Sequence, residues 1–152
     1  MNTRAITRSA LAVVGVAGVA ISMTACGMLG GEVATAEVGE CAQLADLQSD
    51  EITEIPTVDC SEEHDAQFFH KFDLPDGDFP GTDGVQTAAE EGCLGTEFEN
   101  FVGTSYEESA LYANFIGPTQ ETWDQADDRE VLCIVFLDDG TTTTESFEGS
   151  GL

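Results

Sequence analysis

The chain has 152 residues and sets thirty Asp and Glu against four Lys and Arg, a formal net charge of −26. A surface this acidic repels phosphate backbones and anionic headgroups, which argues against nucleic acid as a partner; its first effect is a solvated, soluble shell. The length suits one small domain with one core rather than two.

Arg4 and Arg8 precede an apolar segment from Ala10 to Ile21, closed by Met23-Thr24-Ala25-Cys26. A basic start, a short apolar run and a small residue before the cut make a secretory signal. With a cysteine directly after that small residue, the pattern resembles a bacterial lipobox, whose cysteine is lipidated and becomes the first mature residue. Residues 1–25 are thus expected to be a lipoprotein signal peptide, and 26–37 a lipidated, flexible tether on Cys26. Two other readings stand beside this one. A transmembrane anchor needs about 20 apolar residues, and Gly15 and Gly18 interrupt a shorter run. An ordinary secreted protein would be cut after Ala25 with Cys26 unmodified, and Met23, where leucine is more usual, leaves that open. Cleavage would remove Arg4 and Arg8, leaving Lys71 and Arg129 as the mature cations.

The domain is expected over residues 38–140, with 141–152 a polar flexible tail. Val38 to Leu44 reads as a short strand and Ile55 to Cys60 as a second, its Pro56 suiting an edge or a strand start. In Asp65 to Asp73, Ala66, Phe68, His70 and Phe72 recur at period two, predicting a half-buried strand with these four on one face. After a Gly/Pro/Asp loop, Asp83 with Gln86 forms a capping-box pattern for a helix over about 84–101. Gly92 and Gly95 weaken that helix, marking either close approach to the sheet or a break. Ser105 with Glu108 makes a second cap, Leu111 to Ile116 is either strand or irregular, and Thr119 caps a helical turn through Trp123. Val131 to Leu137 is apolar at every position, which marks a strand buried on both faces. The fold class is α+β: a small, mostly antiparallel sheet of four or five strands, one main helix packed on it, and two disulfides.

Besides Cys26, four cysteines remain: Cys41, Cys60, Cys93 and Cys133. An even count in a small exported domain reads as two disulfides with three connectivities. We favour Cys41–Cys60 with Cys93–Cys133, each loop contributing about 3–4 kcal/mol in the chain-entropy account. A four-cysteine zinc site is the rival, but the close CxxC pairs it uses are absent. No metal-ligand set or cofactor is assigned.

These residues resemble a known family. Gly39-Glu40-Cys41, Val58-Asp59-Cys60-Ser61 with His64-Asp65-Ala66-Gln67, and Phe79-Pro80-Gly81 carry the resemblance, followed in order by Cys93, Pro118, Trp123, Asp128-Arg129 and Cys133. They are similar to the septum formation domain family of actinobacterial envelope proteins, over about residues 38–137. The chain departs from the pattern where the family shows Gly-Asp-Arg after the tryptophan; here it reads Asp127-Asp128-Arg129 after a longer gap. The resemblance implies a link to cell division and carries no reaction signature.

Few residues offer chemistry. His64 beside Asp65 suggests a base oriented by a carboxylate, against a plainer role in which its ring bonds backbone in the turn after Cys60. His64 and His70 on one strand would lie about 20 Å apart, too far to share an ion. Nucleophile-elbow, zinc-protease and phosphate-loop motifs are missing. Arg129 is expected to pair with Asp124, Asp127 or Asp128. Trp123 is either a partner anchor or core. Asp73, Asp76, Asp78 and Asp83 offer hard oxygen ligands to calcium but lack the EF-hand register. The expected function is a non-enzymatic, lipid-anchored module on the outer face of the cell membrane. It would contact envelope or division proteins, with His64, Trp123 and Arg129 as partner or packing residues. The alternative is a ligand- or calcium-binding sensor lipoprotein.

Overall fold

The computed structural model describes residues 33–48, 52 and 54–152. The expected signal peptide and Cys26 lie outside the described residues. Five antiparallel strands form one sheet: β1 (Cys41–Ala42), β2 (Thr57–Val58), β3 (Ala66–Asp73), β4 (Tyr112–Ile116) and β5 (Glu130–Phe136), in the order β2-β1-β3-β5-β4. Three helices accompany it: α1 (Thr82–Cys93), α2 (Thr96–Val102) and α3 (Gln120–Ala126). Single 3-10 turns occur at Leu44–Leu47 and Tyr106–Glu108. The α+β class, the small antiparallel sheet and both disulfides, Cys41–Cys60 and Cys93–Cys133, are as expected.

β5 is buried on both faces because both faces of the sheet are covered. Val131, Cys133 and Val135 pack with α1, α2, Trp123 and Phe147, while Leu132 and Ile134 pack with Ala36, Leu47 and Ile55. Cys133 is fully buried and Cys93 3% exposed, so their bridge runs inside the first layer and pins the end of α1 to β5.

Several local expectations need correction. The strand expected at Val38–Leu44 shrinks to two residues because the chain turns into a 3-10 helix at Leu44; the second likewise shortens to Thr57–Val58. In β3 the register shifts between Phe68 and His70. This bulge places Ala66 and Phe68 opposite Phe136 and Ile134, but His70 and Phe72 opposite Cys133 and Val131, on the other face. The four residues at period two therefore divide between the two layers.

The expected single helix is two. α1 starts at Thr82 after Gly81, without a side-chain cap from Asp83, and Gln86 instead donates to Glu90. The break falls at Leu94-Gly95, and Gly92 supplies the close approach: a Cβ there would meet the Phe72 ring at 2.5 Å. Thr119 caps α3 as expected, in a reciprocal box with Thr122.

The segment 141–152, expected to be a flexible tail, is docked. Phe147 is 1% exposed in the helical layer, and Thr143 bridges His64 through paired backbone hydrogen bonds of 2.9 and 2.8 Å. Gly149 and Gly151 donate to the carbonyls of Phe101 and Val102, which the end of α2 would otherwise leave without partners. At the other end Ala36 is buried, and Lys71 holds this stretch through the Ala36 carbonyl (3.2 Å) and the Glu37 carboxylate (3.1 Å).

Candidate functional site

The expected site residues fall in two separate places. The first is a corner between the loop after β3 and the turn from α3 into β5. Trp123, 4% exposed, donates its indole N–H to the Gly77 carbonyl at 3.0 Å and meets Phe79 edge-to-face at 5.6 Å. Arg129 lies over the indole, its guanidinium carbon 3.7 Å from the ring centroid. Its Nη1 donates to the carbonyls of Trp123 and Asp128, and Nη2 to Asp127 Oδ1 at 2.8 Å. Of the three expected ion-pair partners, Asp127 supplies its carboxylate and Asp128 only its carbonyl; Asp124 instead accepts from Gln120. The only arginine expected in the mature chain thus works as a lid on the tryptophan, fixing the loop against α3. Beside it opens a groove of about 660 Å³ whose lining includes Arg129 and, outnumbering it, the acids Asp73, Asp76, Asp127, Asp128 and Glu130. Its charge favours cationic groups and disfavours anions.

The calcium candidates Asp73, Asp76, Asp78 and Asp83 are all exposed. Among the described residues, three of them do not converge on one point; the one group of three ligand-type side chains that does is Cys41, Cys60 and His64.

That group forms the second place, where β1, β3 and the docked tail meet. His64 is fully buried, with Nδ1 2.9 Å from the Glu62 carbonyl and its ring edge-on to Phe147 at 5.6 Å. A carbonyl only accepts, so Nδ1 carries a proton, and in the neutral ring Nε2 then keeps its lone pair. Nε2 is buried and has no hydrogen-bond partner. The neighbouring Asp65 does not orient this ring; its carboxylate accepts from the Leu44 N–H at 2.6 Å. Around the Cys41–Cys60 bridge, Gln67 (1% exposed) donates to the Gly39 carbonyl and Ser146 Oγ, each at 3.0 Å. Its Oε1 accepts from the Phe147 N–H at 2.7 Å. Just before Cys60, Asp59 accepts from the Ser61 N–H and hydroxyl, which hold its carboxyl below the usual carboxylate range.

Ser146 and Phe147 were not singled out in the sequence, and Gln67 entered only through the family resemblance, with no role. The available signal was a polar residue within the apolar Ala66-Gln67-Phe68-Phe69 run, where a buried amide demands partners. Cys60 and His64, four residues apart, carried a similar signal.

Lys71 is the other cation expected in the mature chain. Besides Glu37, it lies 3.6 Å from Glu130. The hydrogen bond that its ammonium donates to Glu37, with the charge of Glu130 adding to it, raises its pKa above the ordinary lysine value.

Among the described residues, no helix is long and apolar enough to cross a membrane. No curated protein matches the chain. No solved structure matches it either. The sequence profile of the Septum formation family matches residues 28–133. That span holds the whole sheet but the last strand's end, all three helices and both disulfides, and the chain therefore belongs to the Septum formation family.

Proposed function

We propose that this protein is a non-enzymatic, lipid-anchored interaction module displayed on the outer face of the cell membrane, serving cell division or envelope maintenance. The observation that carries this reading is the family match across residues 28–133. The lipobox-like Met23-Thr24-Ala25-Cys26 supports the anchor, and two disulfides in so small a domain fit an oxidising compartment. The chemistry-bearing candidates are engaged in the fold: Trp123 and Arg129 brace each other, and the His64 ring is walled in by Phe147 and the turn after Cys60. An acidic exterior would select division or envelope partners that present basic segments.

The test is imaging of a C-terminal fluorescent fusion in dividing cells, beside its Cys26→Ala version. Enrichment at division sites that requires Cys26 is the expected result. Uniform envelope signal, with normal division after deletion, would end the septal reading. The calcium-sensor reading has less support, because its carboxylates are spread along an exposed loop; calorimetry with calcium should show no stoichiometric heat, and a tight one-to-one isotherm would restore it.

A further inference from the structure

We infer that the Cys41–Cys60 disulfide is a latent metal site: once reduced, Cys41 Sγ, Cys60 Sγ and His64 Nε2 bind one thiophilic cation such as zinc. The two sulfurs and a ring nitrogen of His64 already lie within 4.8 Å of one another. Donors about 2.1–2.3 Å from a common zinc sit about 3.5–4 Å apart, so the rearrangement is a side-chain movement within a built pocket. His64 is prepared as a ligand. Its Nδ1–H is held by the Glu62 carbonyl, the second contact that fixes the tautomer of metal-binding histidines. Its Nε2 lone pair is buried without a partner, a state that calls for an explanation. Soft thiolates with one imidazole select zinc or copper(I) over calcium or magnesium, and three protein donors leave a fourth tetrahedral position for water.

The two disulfides differ in accessibility. Cys93 and Cys133 are both buried, whereas Cys60 is only partly buried, giving an attacking thiolate one sulfur to reach. A dithiol reductant attacks Cys60 Sγ, and the S–S bond breaks with Cys41 leaving as a thiolate that takes up a proton. The second thiol of the reductant then resolves the mixed disulfide, returning Cys60 as a thiol. Two electrons and two protons pass to the protein, and the dithiol becomes a cyclic disulfide. Zinc then displaces both thiol protons to solvent, while His64 releases none.

The experiment uses the full chain with Cys26→Ser, so that its thiol cannot contribute, under mild reduction by a phosphine that does not bind zinc tightly. The expected results are two titratable thiols, one zinc per chain and release of about two protons per zinc between buffers of different ionisation heat. In His64→Gln, zinc affinity should fall by at least about 10–100-fold, the loss that removing even an outer-shell partner of a ligand gives. Should that variant fail to fold, cadmium NMR on ring-labelled protein reads the same contact, expected as scalar coupling between cadmium and His64 Nε2. The inference is overturned by release of all four thiols together, by zinc binding equally well without His64, by cadmium uncoupled from Nε2, or by no stoichiometric binding to the two-thiol form.

Discussion

Asp127 ends α3 with φ 55°, the one non-glycine in the left-handed region among the described residues. The Cβ of an L-residue resists this conformation by about 1–2 kcal/mol, and aspartate tolerates it better than most. The aspartate that takes this conformation also holds Arg129 through its carboxylate. That ion pair is largely exposed on the Asp127 side, so its contribution is below about 1 kcal/mol. Asp127→Gly should therefore leave stability unchanged or raise it by up to about 1 kcal/mol in urea unfolding, whereas Asp127→Val should lower it by about 1–2 kcal/mol. Equal losses in both would mean that the contact to Arg129, not the backbone, decides the position. Lys71 makes a prediction in pH. Its pKa is higher folded than unfolded, so its contribution is complete below the ordinary lysine value of about 10.4 and disappears as pH rises through the folded value. The stability gap between wild type and Lys71→Met should be flat from neutral pH to about pH 10 and close above it.

At the level of elements, α2 and the segment after β5 stabilise each other. The last carbonyls of α2 receive the N–H groups of Gly149 and Gly151, and Phe147 fills the layer between β3 and α2. Phe147→Ala should cost about 3–5 kcal/mol, the range for a core phenylalanine; a free tail would give a change within about 0.5 kcal/mol. Thermal or urea unfolding decides between them. The sequence concealed this because Glu145-Ser146-Phe147-Glu148-Gly149 has one large apolar residue and no period to read. The β3 bulge was hidden for a related reason: inserting Phe69 into a regular alternation changes which face each residue takes without changing composition. By contrast β5 was legible, since apolar residues at every position can only be satisfied by cover on both faces, and Thr119 declared α3 through a hydroxyl that has one backbone partner to find. His64 was legible as a turn residue; its place behind a disulfide was not, because that depends on β1, β3 and the tail meeting.

Across the whole molecule, two bridges oppose a large like-charge repulsion. The loops closed by Cys41–Cys60 and Cys93–Cys133 span 19 and 40 residues. Chain entropy assigns them about 3 and 4 kcal/mol, large beside the stability of a domain this size. Replacing Cys93 and Cys133 by alanine should lower the unfolding midpoint more than replacing Cys41 and Cys60, since it also removes the tie between α1 and β5. Raising salt from about 0.01 to about 1 M shortens the screening length from about 30 to about 3 Å. With thirty carboxylates facing the two cations expected in the mature chain, Tm should rise with salt, and a falling Tm would show that ion pairs such as Lys71–Glu37 outweigh the repulsion. The Lys71 clasp on Ala36 and Glu37 also sets a distance. With Cys26 in the outer leaflet, as proposed, the stretch from Cys26 to Ala36 spans at most about 35 Å even fully extended. Because the clasp keeps Glu37 from lengthening that leash, the domain sweeps only a thin shell above the membrane. A partner deep in the cell wall would lie beyond its reach, and one emerging from the bilayer would meet it at high local concentration.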